Sequence, residues 1–379
     1  MNHDLEVSIL GELLDQLRTQ RNADAGRQVQ NPAASYTSPE LAHREWTEFF
    51  DNHPQLVALT GDLPGHGTHL TVDDLGVPML LTRADDGVVR AFVNSCRHRG
   101  TRVAEGPRGT SRTFVCPFHH WTYANDGALV GLPRSDDFGP FDRTCRGLLE
   151  LPAAEQHGLI WVHPRADGEL DVDALLQGLG PELDEWGLGQ LAFAGESLME
   201  RDLNWKLAVD TFGETYHVDR LHRDTIAALV HSDTLTHQPF GRNHRMAFAL
   251  RGIESLRDRP ESEWTIDGHA NVIYFLFPNI ELNVNPAAVS LIKIYPDPHD
   301  PGRSRTRVSH YGGALDVVTE VFDTTIEQED YATAETAQRA AESGAVDHFV
   351  FGRNEPALHH VHDAYRAALG MEPLESFDG

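Results

Sequence analysis

The chain has 379 residues, 40% of them hydrophobic and 23% charged, and a formal net charge of -27. That length allows two or three domains, each with its own core. The charge excludes generic affinity for nucleic acid or an anionic membrane, and three cysteines are too few for a disulfide framework.

The opening MNHDLEVSIL is acidic rather than basic. No later apolar run approaches the roughly 18 residues of a membrane span. A cytoplasmic protein without a nucleic-acid or membrane partner is therefore expected. Residues 4–18 place Leu5, Ile9, Leu13 and Leu17 at helical spacing, a leading helix that packs on a later element. From 51 to 165 short apolar runs (QLVALT, VPMLLTR, VVRAFVN, RTFVC, GLIWVH) alternate with turns such as DLPGHG, RADDG and ANDG, which reads as a small all-β domain. From 166 to 379, helical stretches such as Asp173 to Leu179 alternate with the strand-like AFALRG, NVIYFLFPNIELNV, AVSLIKIYP and RTRVSHYGG. That mixture predicts an α+β domain with an antiparallel sheet. There is no internal repeat, and the PGHG glycines lack the context of a dinucleotide loop.

The stretch CRHRGTRVAEGPRGTSRTFVCPFHH, residues 96–120, holds two of the three cysteines and three histidines. Cys96 and His98 form C-x-H, and Cys116 and His119 form C-x2-H. A closed set of two thiolates and two imidazoles suits structural zinc or a [2Fe-2S] cluster with two cysteines on one iron and two histidines on the other. Spacing favours the cluster. Zinc knuckles usually pair like with like, whereas here each loop supplies one ligand of each kind. Cys145 is left over and is expected to be a buried small hydrophobe.

The same region is basic. Arg90, Arg97, Arg99, Arg102, Arg108 and Arg112 face only Glu105, a local balance of +5. Such a run is either a solvated surface or a docking face for an acidic partner.

CRHRG and CPFHHWTYANDG resemble the two cluster loops of the Rieske ring-hydroxylating oxygenases, and GVPMLLTRADDGVVRAFVNSCRHRG and GLIWVHP continue the likeness through the β domain. His120 departs from the glycine usual after the second ligand histidine. The resemblance implies a Rieske domain over 51–165 and a helix-grip (START-like) catalytic domain over 166–379, with the helical segment 1–50 belonging to the latter.

In the second domain, NWKLAVDTFGETYHVDRLH puts His217 and His222 five apart. On a regular helix they would be turned about 140° from each other, so sharing one metal requires the helix to end or bulge between them. Glu214, three before His217, is expected on the same helical face. Two neutral ligands hold iron(II) poorly, and the facial triad of two histidines and a carboxylate is assembled in space. The segment EDYATAETAQ resembles the family's late carboxylate motif, which assigns Asp330 as third ligand, with Glu327 and Glu329 as the nearest alternatives. His359, His362 and Asp363 in HHVHD share a helical face, as a surface metal site would, though histidines of a terminal amphipathic helix are commonly solvated or packed.

The resemblance implies a Rieske [2Fe-2S] cluster on Cys96, His98, Cys116 and His119, and mononuclear Fe(II) on His217, His222 and Asp330. It also implies a homotrimer in which Glu214 bridges His217 to His119 of the partner subunit. Electrons come from NAD(P)H through a reductase, with or without a ferredoxin, docking near Arg97–Arg112. The expected reaction is hydroxylation of an aromatic or similarly hydrophobic small molecule, or O- or N-demethylation. A bare Rieske electron carrier is the reading of a different class.

Overall fold

Short strands bounded by turns dominate residues 55–162 of the computed structural model, which describes residues 1–140, 142–285, 288–313 and 322–377. One compact unit comprises 47–172 with 187–192, and the other comprises 1–46, 173–186 and 193–379.

In the first unit a five-stranded antiparallel sheet runs in the order Glu150–Leu151, Val89–Val93, Met79–Arg83, Thr68–Val72, Arg108–Thr110. Gln55–Leu59 and Leu159–Val162 are buried at every position and pair in a second sheet with Ala153–Gln156. A third sheet of Thr113–Val115, Thr122–Ala124 and Leu129–Gly131 carries the 116–120 loop between its first two strands. Phe92, Phe114, Trp121, Tyr123 and Leu129 pack with both Cys96 and Cys116 in one apolar cluster. The thiols are therefore part of the core and not of the surface.

The second unit is built on seven antiparallel strands: β1 Phe193–Arg201, β2 Val230–Phe240, β3 Asn243–Leu250, β4 Ala270–Leu276, β5 Ile280–Val284, β6 Ala288–Pro296 and β7 Ser304–Gly312. Their order is β1-β7-β6-β5-β4-β3-β2. The run NVIYFLFPNIELNV forms two strands, β4 and β5, because Pro278 has no N–H for a ladder and Asn279 suits a turn.

Helices α1 His3–Thr19, α2 Trp205–Asp210, α3 Val218–Leu221, α4 Ala332–Glu342 and α5 Pro356–Ala368 belong to this unit. α1 buries Ile9, Leu10, Leu13 and Leu14, and Gln16 Nε2 donates to the Leu235 carbonyl of β2 at 2.8 Å. Glu45 is buried against Lys206 and Trp205 of α2 and accepts from Trp205 Nε1 at 3.1 Å.

Register decides which side chains share the gripped face of the sheet. Ser197, Val308, Ile292, Glu281, Phe275 and His244 form one cross-strand row, and His310, Ser290, Asn283 and Ile273 form the next. Helices lie on this face. Tyr331 and Thr306 hydroxyls meet at 2.9 Å, Asp323 accepts from Ser197 Oγ at 2.7 Å, and Ala357 of α5 packs with Leu235, Met246 and Ile273.

No helix among the described residues is long and apolar enough to cross a membrane.

Candidate metal centres

The two cysteine-histidine loops have matching backbones. In the first, Cys96 N–H donates to Thr101 O at 2.8 Å and Gly100 N–H to Cys96 O at 2.9 Å; in the second, Cys116 N–H donates to Trp121 O at 2.8 Å and His120 N–H to Cys116 O at 2.9 Å. Gly100 has φ +80° and His120 has φ +58°. His120 therefore adopts the left-handed conformation for which glycine is the usual choice, and the loop keeps its shape.

Asn94 fixes the base of the first loop, accepting from Val103 N and Ala104 N at 3.1 Å each and donating to Ala104 O at 2.9 Å. Cys96 and Cys116 are buried free thiols. Burial pushes the Cys96 thiol up, as expected of a thiol that ionises only when a cation arrives. Tyr123, fully buried, has its hydroxyl 3.3 Å from Cys96 Sγ and accepts from Arg97 N at 3.0 Å. His98 and His119 rings lie 4.7 Å apart, and His98 stacks on Trp121 at 4.9 Å. His98 Nδ1 is buried without a hydrogen-bond partner. Two buried thiols, an orphaned imidazole nitrogen and a second imidazole beside it fit a cluster with paired ligands.

The second centre is assembled at a helix interruption. α3 is only four residues long, with His217 at its N-cap and His222 at its C-cap, and the two Nε2 atoms stand 3.1 Å apart. Glu214 lies in the turn before α3, not on a helical face. Its carboxylate accepts from the backbone N–H groups of Tyr216 and His217 and contacts His217 Nδ1. The turn is tied to β2 by Ser232 Oγ donating to Thr215 O at 3.0 Å.

Asp330 arrives on a π-helical turn, Ile326–Tyr331. Its Oδ1 is 3.5 Å from His217 Nε2 and 3.0 Å from His222 Nε2. These three form the one group of three metal-capable side chains found among the described residues, every donor atom within 4.8 Å of the others. Two imidazoles and one carboxylate on one side of a point fit a mononuclear iron. Of the alternatives, Glu329 accepts at 2.6 Å from His222 Nδ1 and at 2.8 Å from Thr225 Oγ1, while Glu327 lies 3.6 Å from Arg201. For His222, burial acts to lower the pKa but is outweighed by Asp330 and Glu329, and the net shift is upward. The supporting roles of Glu329, Thr225 and Tyr123 had no spacing signal.

The expectation for Cys145 is corrected. Cys145 is exposed, its Sγ 3.4 Å from Asp142 Oδ2, because it sits in a short 3-10 turn outside the core. The HHVHD residues are used structurally. His362 Nε2 meets Asp210 Oδ1 at 2.7 Å, Asp363 pairs with Arg27 at 2.5 Å, and His359 Nε2 meets Gly352 O at 2.9 Å. The basic island is also thinner than its composition. Arg90, Arg102 and Arg108 pair with Asp86, Asp73 and Asp62 at 2.7 Å each, leaving Arg97, Arg99 and Arg112 without an ion pair among the described residues. Arg99 stacks over the exposed ring of Phe118 at 4.8 Å.

Residues 53–145 match the Rieske [2Fe-2S] domain, and residues 188–371 match the ring hydroxylating alpha subunit (catalytic domain). The chain belongs to the Rieske ring-hydroxylating oxygenase alpha subunits. It thus has the domains that carry a [2Fe-2S] cluster and a mononuclear iron in this family.

Among similar Rieske proteins, the glycine betaine monooxygenase oxygenase subunit of Chromohalobacter salexigens is 32% identical over 60% of this chain and 52% of its own. The carnitine monooxygenase oxygenase subunit of Acinetobacter baumannii is 26% identical over 74% of each chain. The match spans about half the length of the glycine betaine relatives. The crystal structure of the quaternary ammonium Rieske monooxygenase CntA with L-carnitine superposes with a TM-score of 0.77 at 21% identity, covering 92% of this chain and 97% of that one. At that identity the likeness concerns the fold.

Proposed function

We propose that the protein is the oxygenase component of a Rieske monooxygenase that hydroxylates a carbon bonded to the nitrogen of a small quaternary ammonium compound. The hydroxylated carbon then loses its C–N bond, leaving an amine and a carbonyl compound. The observation that carries an oxygenase over a bare electron carrier is the His217, His222 and Asp330 triad. The relatives that act on glycine betaine and carnitine favour the demethylating alternative over an aromatic substrate.

Bound at these sites, the two metal groups would supply one-electron transfer and dioxygen activation. Cys96, His98, Cys116 and His119 would hold the cluster, and Tyr123 would donate a hydrogen bond to the Cys96 sulfur. His217, His222 and Asp330 would hold the iron on one side and leave the other open. Glu214 fixes the ring of His217 from behind and Glu329 that of His222, as carboxylates behind metal histidines commonly do. In a trimer Glu214 would also reach His119 of the partner subunit. Arg97, Arg99 and Arg112, with Phe118, offer a basic and aromatic patch for an acidic reductase or ferredoxin that draws on NAD(P)H.

The test incubates the iron-loaded protein with a reductase, NADH and a panel of quaternary amines and aromatic acids. Amine and carbonyl formed one-for-one with NADH consumed support the reading. A cis-diol from an aromatic acid, with both oxygens from labelled dioxygen and no turnover of quaternary amines, overturns it.

A further inference from the structure

Glu281 stands in the middle of β5, 3% exposed, on the sheet face gripped by the helices. Its cross-strand neighbours are Phe275 of β4 and Ile292 of β6. Lys293, the adjacent cation in sequence register, pairs with Ile280 and so points to the opposite face. Among the described residues Glu281 has neither an ion pair nor a hydrogen bond to its carboxyl, and the residues outside them contain no Lys, Arg or His. Burial alone drives its carboxyl well above the usual carboxylate range. A buried acid without a counter-charge is costly and calls for an explanation.

A small part of its side chain stays accessible. Asn283, two residues on and about 7 Å away along the same face, is half-buried, as is Ser290 opposite it. Tyr331, next to Asp330, reaches this face through Thr306, whose hydroxyl it meets at 2.9 Å.

We propose that Glu281 is the counter-charge for the substrate's cationic nitrogen, beside the ring of Phe275. This rests on the quaternary ammonium reading above. A metal cation would need several oxygen ligands, and a primary ammonium would need up to three acceptors; Glu281 offers one carboxylate among apolar groups. A trimethylammonium donates no hydrogen bond and takes a single negative charge with an aromatic face beside it.

The test compares two ligands that differ only in charge, a trimethylammonium carboxylate and its tert-butyl carbon isostere, by calorimetric binding to the oxidised, iron-loaded protein. Wild type should prefer the cation by about tenfold or more. Glu281→Gln should bring the two affinities within about threefold of each other, with cluster absorbance, iron content and melting temperature unchanged, and Glu281→Asp should restore part of the preference. If wild type prefers the cation and Glu281→Gln keeps that preference, Glu281 is not the counter-charge and the quaternary ammonium reading stands. If wild type binds the isostere as well as the cation, the quaternary ammonium reading fails and the assignment of Glu281 falls with it.

Discussion

Glu329 Oε2 stands 2.6 Å from Nδ1 of His222, while Oδ1 of Asp330 stands 3.0 Å from Nε2 of the same ring. Two consecutive acidic residues thus hold opposite edges of one imidazole. Only one of those edges also faces His217, 3.5 Å from Asp330. Asp330→Ala should therefore abolish stoichiometric iron, whereas Glu329→Gln should weaken iron binding by about tenfold to a hundredfold, the usual effect of losing a supporting carboxylate. Iron and acid-labile sulfide assays separate the two centres, and in both variants sulfide should stay at wild-type content. Equal iron loss in the two variants would mean that Glu329 is itself a ligand.

Tyr123 is set to stabilise the electron-rich form of the cluster. Its hydroxyl lies 3.3 Å from Cys96 Sγ, and a hydrogen bond to a thiolate favours the state with more negative charge. Tyr123→Phe should lower the midpoint potential by on the order of 50–100 mV, the one-electron equivalent of a charge-assisted hydrogen bond. Spectroelectrochemical titration reads this directly, and an unchanged potential would show that the hydroxyl serves only the Arg97 backbone.

His120, at φ +58°, bears a left-handed backbone that costs a non-glycine residue about 1–2 kcal/mol. His120→Gly removes that cost and adds some unfolded-state entropy. The net expectation is a gain of about 0.5–1 kcal/mol, measured as a higher melting temperature of the cluster's visible circular dichroism. A loss would mean that the His120 side chain has a contact worth more than the strain.

The four cysteine and histidine positions were legible because loops 96–100 and 116–120 are local. Chain spacing there is nearly spatial spacing. His217 and His222 were legible only as a condition, that the helix must break between them, and the four-residue α3 meets it. The place of Glu329 was not legible, since a π-helical turn changes which side chains share a face and leaves no mark in hydrophobic periodicity. Glu281 was equally hidden. Its alternation with Ile280 and Leu282 reads as an ordinary half-buried strand, and only the register with Phe275 and Ile292 puts the carboxyl inside. The arginine island was overcounted because Asp62, Asp73 and Asp86 lie before the window and meet its arginines only in space.

Acid should destabilise the second unit through buried histidines. His237 and His244 face each other across β2 and β3 with rings 4.9 Å apart, and His360 of α5 lies 5.5 and 5.6 Å from them. Burial, with His360 and His359 nearby, lowers His237 to about 3, and His244 is also held well below its ordinary value. The unfolded chain protonates these rings near pH 6.5. Their contribution to stability is complete above that pH and is lost as pH falls toward 3, by on the order of 1.4 kcal/mol per pH unit for each ring. His237→Phe should flatten the fall in the urea midpoint between pH 6.5 and 5; an unchanged slope would mean that the acid limb arises elsewhere.

Lys206 and Glu45 form a buried ion pair. Lys206→Met leaves the carboxylate without its cation and should cost about 3–5 kcal/mol, whereas the double variant with Glu45→Leu should recover most of that. Denaturant unfolding of the three proteins measures the difference.

The π-helical turn at Ile326–Tyr331 makes the iron site sensitive to residue count as well as residue identity. A turn closed by i to i+5 bonds holds one residue more than an α-turn. Deleting Gln328 would let the segment relax to an ordinary helix, redistributing the side chains inside the turn around the axis while the flanking turns keep their phase. Every ligand would still be present in the chain. Yet Asp330 could no longer face the histidines while Asp323 kept its hold on Ser197. A shortened variant of this kind should fold with its cluster and without its iron, a loss of function written in chain length alone.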